Sequence, residues 1–173
     1  MKKLLKLNGL FLTAGLIALM LVSCEKDSST GGATEDELIG KWTIASSSVD
    51  MTIDGVSVVD FLVEALGITE EQAKQFEQIY TDELSMSGTI EFMADYTYEA
   101  NFDGDVTTGT WKLTSGGKEM IMDEGTEDET TVKIVSANAT KMVVRISDSD
   151  TEDIDEDGTD ENLVYTIEMV LTK

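Results

Sequence analysis

The residues with the clearest chemical spacing are the acids of one loop near the end of the chain. Asp153, Asp155 and Asp157 alternate, and Gly158 follows them. Carboxylates at alternate positions can converge on one hard cation, and a glycine permits the bend that such a loop needs. The twelfth position is Val164, where a helix-flanked calcium loop carries a bidentate glutamate. The pattern predicts either a calcium site or a solvated hairpin loop that attracts cations weakly and without specificity, and the departure at Val164 favours the solvated loop.

The composition excludes most other chemistry. The chain has no histidine and one cysteine, which removes Ser-His-Asp and Cys-His catalysis and most zinc sites. Because there are 35 acids, close carboxylate pairs are expected by chance, and no nucleophile stands beside a base. We therefore expect no catalytic residues, no enzymatic activity and no cofactor, with calcium as a weak candidate only. The net charge of −23 disfavours nucleic acid as a partner.

The first 24 residues have the pattern of an export signal. A positive head, which carries Lys2, Lys3 and Lys6, precedes an apolar run over residues 10–22 that is too short to span a membrane. The run ends in Leu21-Val22-Ser23-Cys24, which resembles the lipobox of bacterial lipoproteins. The resemblance implies a signal peptide over residues 1–23 and acyl chains such as palmitate on Cys24. These chains would anchor the protein in the bacterial cell envelope, with the outer membrane as the expected location. The alternative is an ordinary signal peptide with an incidental cysteine.

The rest of the chain predicts a tether followed by one β domain. Residues 24–37 are polar and rich in Gly, Ser and Thr, which is typical of a flexible tether. Residues 38–173 contain about nine short β-prone runs separated by turn signals. Residues 38–46 and 49–53 are predicted as two separate strands, and residues 141–146 as a late one. Without helical crossovers after residue 85, the pattern favours an antiparallel barrel or sandwich.

Residues 57–84 interrupt this pattern with two predicted helices. The first runs to Leu66 and is stopped by Gly67, and the second begins at the capping box Thr69-x-x-Gln72. Their apolar faces could cover the mouth of a barrel, cap one end as structure, or bind a partner helix. Covering or capping is the expected role, because large exposed apolar patches are uncommon on monomers.

Two tryptophan motifs indicate a family. Gly40-Lys41-Trp42 opens the first strand and Gly109-Thr110-Trp111 lies mid-domain, and their order resembles the lipocalin-like domains of bacterial lipoproteins. The resemblance implies an up-and-down antiparallel β-barrel of about eight strands, whose interior can hold one small apolar ligand. It also implies that Arg145, from a late strand, stacks on Trp42. The alternative for Arg145 is a surface ion pair with an acid.

Aromatic and methionine side chains are the candidates to line such a cavity: Tyr96, Tyr98, Phe102, Met120, Met122, Tyr165 and Met169. The same residue types fill ordinary cores, and the sequence favours packing. Two functions follow. The protein is either a lipid-anchored, non-catalytic barrel that binds a small apolar ligand, or a surface structural or protein-interaction module with a packed interior and a cation-binding loop. The sequence identifies no protein partner, and the inner volume of the barrel distinguishes the two functions.

Overall fold

The structure, a computed structural model, describes residues 32–173. The predicted signal peptide, Cys24 and most of the predicted tether lie outside the described residues. The described chain forms a closed barrel of eight antiparallel strands with three helices, so the predicted fold class, a mainly β up-and-down barrel with a two-helix insertion, is confirmed.

The helices and strands follow one another in a simple order. The helices are α1 (Glu35–Leu38), α2 (Val58–Leu66) and α3 (Glu70–Leu84). The strands are β1 (Gly40–Ile53), β2 (Val56–Ser57), β3 (Gly88–Phe92), β4 (Thr97–Phe102), β5 (Asp105–Thr114), β6 (Glu119–Met122), β7 (Thr130–Ala137), β8 (Lys141–Glu152) and β9 (Glu161–Thr172).

Strand β1 closes the barrel because it pairs with two different strands. Residues 40–43 pair with β3, and residues 43–53 pair with β9, with a bulge between Ile44 and Ser46. The strands from β3 to β9 each pair with their sequence neighbours, which is the up-and-down arrangement. Strand β2 adds only two residues to the end of β1.

Strands β1, β8 and β9 continue beyond the rest of the barrel. In the described ladders, β8 beyond Arg145 pairs only with β9, and β1 beyond Ile44 pairs only with β9 and, at Thr52 and Ile53, with the two residues of β2. We call this extension the three-stranded arm; it comprises residues 46–53, 146–152 and 161–167. The prediction of two strands over residues 38–46 and 49–53 is wrong, because they form the single strand β1. Likewise β8 runs to Glu152, since its polar last residues keep pairing with β9 although their side chains are exposed.

Helices α2 and α3 pack on the arm. Their buried cluster consists of Met51, Ile53, Val58, Leu62 and Ala73. The period of two along β1 places Met51 and Ile53 on the same face as the inward-facing Val49, so the two helices cover one end of the barrel. Val49 and Leu84 touch both this cluster and the barrel core. None of the described helices has the length and apolar character that crossing a membrane requires.

Capping residues set the limits of the two helices, and Gly67 and Thr69 are the two that the sequence predicts. Ser57 accepts a hydrogen bond from the backbone N–H of Asp60 at 3.1 Å and so begins α2. Gly67 ends α2 in the left-handed conformation, with φ of 63°. Thr69 and Gln72 form the capping box of α3, as the sequence predicts.

The other end of the barrel is closed by the start of the described chain. The backbone N–H of Ala33 donates to the carbonyl of Gly117 at 2.8 Å, and Thr34 caps α1 together with Glu37. Leu38, at the end of α1, is fully buried. The predicted tether therefore ends earlier than residue 37, because the Thr34-x-x-Glu37 capping box starts a helix that packs into the fold.

Trp42 is the centre of this closed end. Its indole N–H donates to the carbonyl of Leu38 at 2.7 Å, and the Lys173 ammonium lies 4.5 Å from the centre of its ring. Lys173 also donates to the carbonyls of Glu37 and Ile39, at 2.8 and 2.7 Å. The last residue of the chain thus ties α1 to the tryptophan.

The predicted stacking of Arg145 on Trp42 is wrong. Arg145 faces outward on β8 and forms an ion pair of 2.6 Å with Glu168, its direct partner in the β8–β9 ladder. The alternative, a surface ion pair, is confirmed. The cation over the tryptophan is Lys173. Gly40 lies beside it with a φ of 120°, a backbone conformation that other residues rarely adopt.

Replacement of the terminal lysine tests this closed end. Lys173→Met keeps an apolar stem but leaves the carbonyls of Glu37 and Ile39 without their donor. We expect the free energy of unfolding in urea to fall by about 1–3 kcal/mol. The control is Lys141→Met, which removes an equal charge from an exposed position of β8. Equal effects of the two substitutions would contradict the role of Lys173.

Candidate functional site

The barrel interior contains one apolar cavity of about 90 Å³. Five methionines contribute to its wall, and the remaining side chains are aliphatic or phenylalanine. The lining residues are Ile44, Met86, Ile90, Phe92, Phe102, Met120, Met122, Val132, Met142, Val144, Ile146, Met169 and Leu171. Inward-facing positions of seven of the eight barrel strands therefore fill most of the barrel, and the remaining space has no polar group on its wall.

Four of the seven predicted ligand-lining residues meet at this cavity. Phe102, Met120, Met122 and Met169 all contribute to its wall, as the alternation along their strands indicates. The three tyrosines do not reach it. Each tyrosine donates its hydroxyl hydrogen to a carboxylate elsewhere in the molecule, so the prediction that they line the cavity is wrong.

Tyr98 is buried next to the second tryptophan motif. Its hydroxyl donates to Asp123 Oδ2 at 2.7 Å, and Asp123 Oδ1 accepts from the backbone N–H of Thr110 at 2.9 Å. A Cβ on Gly109 would lie 2.0 Å from Asp123 Oδ1, so only glycine leaves space for this contact. Burial, together with the hydrogen bond to Asp123, raises the pKa of the Tyr98 hydroxyl.

Trp111, in the same motif, is a core residue. Its indole N–H donates to the carbonyl of Met93 at 3.2 Å, and its ring meets Phe92 edge to face at 5.5 Å. The two tryptophan motifs thus have structural roles: Gly40 adopts a φ of 120°, Gly109 leaves space for Asp123, and Trp42 and Trp111 fill the core.

Tyr96 and Tyr165 lie outside the barrel interior for different reasons. Tyr96 belongs to the turn before β4, where its φ of 65° directs it outward, and its hydroxyl donates to Glu35 at 2.9 Å. Tyr165 lies on the arm against the helical insert, and its hydroxyl donates to Asp148 at 2.9 Å. Strand alternation alone predicts both as inward, because it reveals neither the turn nor the extent of the arm.

A larger groove of about 270 Å³ lies between the helical insert and the arm. One side is apolar: the rings of Phe76 and Tyr80 of α3 lie with their centres 4.7 Å apart at a tilt of 40°, and both residues are about 40% exposed. The other side carries Glu152, at the end of β8, and two acids of the β8–β9 connection, Asp153 and Glu156. The apolar face of α3 is therefore only partly covered: Ala73 is buried, whereas these two rings border the groove.

The acidic loop brings four carboxylates together. One oxygen from each of Asp153, Asp155, Asp157 and Glu161 lies within 4.8 Å of the others. Three of them are the predicted candidates, and Glu161, the first residue of β9, is the member that the sequence argument missed. Glu161 is visible in the sequence as an acid at the ninth position of the loop. In a helix-flanked calcium loop, the closing glutamate lies at the twelfth position instead.

Comparison with known proteins identifies no relative of this chain. The chain matches no protein-family model, no curated protein and no solved structure. Geometry and sequence pattern are therefore the basis for the function proposed below.

The buried tyrosine predicts a dependence of stability on pH. Because the pKa of Tyr98 is higher in the folded than in the unfolded state, its stabilising contribution is complete below pH of about 10 and is lost as the pH rises above that value. Tyr98→Phe should lower the free energy of unfolding by about 0.5–1.5 kcal/mol at neutral pH. It should also make the loss of stability above pH of about 10 shallower.

The measurement is urea denaturation at several pH values, with Tyr80→Phe as the matched control on the exposed face of α3. If Tyr98→Phe and the wild-type chain lose stability with the same slope at alkaline pH, the role given to the Tyr98–Asp123 contact is wrong.

Proposed function

We propose that this protein is anchored by lipid on Cys24 in the bacterial cell envelope, and that its barrel is a non-catalytic structural or protein-interaction module. The observation that carries the proposal is the small volume left inside the barrel. A cavity of about 90 Å³ is well below the 300–1,000 Å³ typical of sites for drug-sized ligands. It is also smaller than the engineered cavity of about 150 Å³ that accepts benzene in another protein.

Both ends of the barrel support this function. One is closed by Trp42, α1 and Lys173, and the other by the helical insert packed on the arm. The cavity wall also lacks the few polar groups that usually orient a bound molecule.

The lipid anchor rests on the sequence before the described residues. The positive head, the apolar run and the lipobox-like segment ending in Cys24 agree with one another. The acidic domain suits such an anchor, because its charge repels anionic head groups and keeps the folded surface available to other partners. The eight-stranded barrel and the structural roles of both tryptophan motifs support a place among lipocalin-like lipoproteins.

A second function, carriage of one small apolar molecule, is favoured by the methionines of the cavity wall. Methionine has three rotatable side-chain bonds and adapts to irregular shapes, so this wall could expand around a ligand. The carrier function therefore predicts a ligand that copurifies, whereas the packed-module function predicts none.

Mass spectrometry of extracts from the purified full-length chain separates these functions. Small molecules are extracted into organic solvent and quantified against protein, with an unrelated detergent-solubilised protein as control. We expect no compound near one molecule per chain beyond those in the control, apart from lipid covalently bound to the protein. A specific apolar compound at that ratio would overturn the packed-module proposal in favour of the carrier.

Metabolic labelling tests the anchor separately. When a bacterial host is grown with a clickable palmitate analogue, the wild-type chain should carry the label and sediment with membranes. Cys24→Ser should lose both properties, because it lacks the acceptor thiol, whereas the neighbouring control Ser23→Ala should retain them. An unlabelled wild-type chain, or equal labelling of wild type and Cys24→Ser, would contradict the anchor.

A further inference from the structure

Within residues 32–173, the tip of the three-stranded arm brings four acids close enough together to hold one metal ion. The connection from β8 to β9 spans residues 153–160, and Glu161 begins β9 directly behind it. Single oxygens of Asp153, Asp155, Asp157 and Glu161 lie within 4.8 Å of one another. Four carboxylates at such distances repel one another strongly when no cation lies between them.

One member of this cluster, and one oxygen atom of a second, are withdrawn from water. Glu161 is only 6% exposed and is the one charged residue among the buried residues of the described chain. Asp153 Oδ1 is buried and has no hydrogen-bond partner within residues 32–173. None of the ion pairs in those residues involves an acid of this loop. Burial of an unpaired carboxylate is costly, so both residues indicate that a positive charge belongs here.

The loop holds each carboxylate by one oxygen and leaves the other oxygen without a described hydrogen bond. The held oxygens and their backbone N–H donors are Asp153 Oδ2 with Gly158 at 3.0 Å, Asp155 Oδ1 with Asp157 at 3.1 Å, Asp157 Oδ1 with Thr159 at 2.8 Å, and Glu161 Oε2 with Ile154 at 2.7 Å. The turn needs left-handed backbone at Glu156 and Gly158, with φ of 61° and 91°. The four acids are thereby oriented by the backbone before any ion arrives.

We propose that these four carboxylates bind one Ca²⁺ ion. Calcium takes six to eight oxygen ligands at about 2.3–2.6 Å in flexible geometry, and oxygens within 4.8 Å of one another can surround such an ion. Magnesium requires about 2.0–2.1 Å in near-ideal octahedral geometry, which fits this spacing less well. The ligand set contains no nitrogen or sulfur, which disfavours zinc and copper.

The site differs from a helix-flanked calcium loop in how the loop is closed. There, a bidentate glutamate at the twelfth position comes from the following helix. Here the twelfth residue, Val164, lies within β9, and Glu161 at the ninth position supplies the closing carboxylate. In this β-hairpin, β9 runs back beside β8 directly after the loop, and Glu161 pairs with Glu152. The first residue of β9 therefore already lies next to the loop.

Calcium at this site also stabilises the contact between the arm and the helical insert. Ile154, inside the loop, packs against the buried cluster beneath α2 and α3, and its N–H holds Glu161. The groove beside the insert shares Asp153 and Ile154 with the loop. An ion that binds only the folded loop raises the stability of the folded protein by mass action.

Calorimetry of the full-length chain in non-ionic detergent tests the site. After treatment with EGTA and buffer exchange, CaCl₂ and MgCl₂ are titrated separately at constant ionic strength. We expect one calcium ion per chain and at least about tenfold weaker magnesium binding. Asp155→Asn should weaken calcium binding at least about tenfold, whereas Asp160→Asn, which removes an equal charge just outside the cluster, should change it less than about twofold.

The melting temperature gives a second readout that does not depend on a folded variant. Calcium should raise the melting temperature of the wild-type chain, and magnesium at the same concentration should raise it less. If Asp155→Asn does not fold, Glu161→Gln replaces it, because its amide oxygen can still accept from Ile154. Absence of heat at millimolar calcium, equal effects of calcium and magnesium, or equal losses in the cluster and control variants would overturn the proposal.

Discussion

The pairing of β1 with both β3 and β9 is the constraint on which the rest of the structure depends. Strand β1 has 14 residues and β3 has five, so β1 extends far beyond its partner. The start of β1 closes the barrel, and the remainder joins β8 and β9 in the three-stranded arm. Without this difference in length, the helical insert would have no sheet to pack on, and the acidic loop would not stand beside the insert.

The shortage of positive charge explains the polar contacts. The whole chain has 12 basic residues for 35 acids, so most carboxylates have no cationic partner of their own. Tyrosine hydroxyls serve instead in three places, donating to Glu35, Asp123 and Asp148. Each of these hydrogen bonds contributes to a raised pKa of the tyrosine concerned. In the acidic loop, backbone N–H groups are the donors, one for each of the four carboxylates. These hydrogen bonds do not neutralise the four negative charges, which remain close together.

Much of the fold could be predicted because local signals and tertiary structure agree. The short strands separated by turns after residue 85, the end of α2 at Gly67 and the Thr69-x-x-Gln72 capping box of α3 all appear in the structure where the sequence predicts them. Strand limits were harder to predict. The polar residues of β1 between Ile44 and Val49 interrupt its apolar alternation, although pairing with β9 continues across them.

The site was predictable only in part, because its geometry depends on residues far apart in the sequence. Nothing near Lys173 indicates that it would lie over Trp42, since this contact requires the closed barrel to bring the two ends of the domain together. Arg145 was the wrong choice because ladder register places it opposite Glu168. Glu161, in contrast, was visible in the sequence, and only the hairpin geometry shows that the ninth position rather than the twelfth completes the cluster.

A designed disulfide tests the pairing of β1 with β9 most directly. Asp50 and Thr166 are direct partners in the β1–β9 ladder, and their side chains point outward. In a Cys24→Ser background, Asp50→Cys with Thr166→Cys should oxidise readily and leave the chain folded, because directly opposite strand positions suit disulfide geometry. The off-register control, Asp50→Cys with Glu168→Cys, should oxidise much more slowly. Failure of the first pair to form a disulfide, or faster oxidation of the control, would contradict the pairing of β1 with β9.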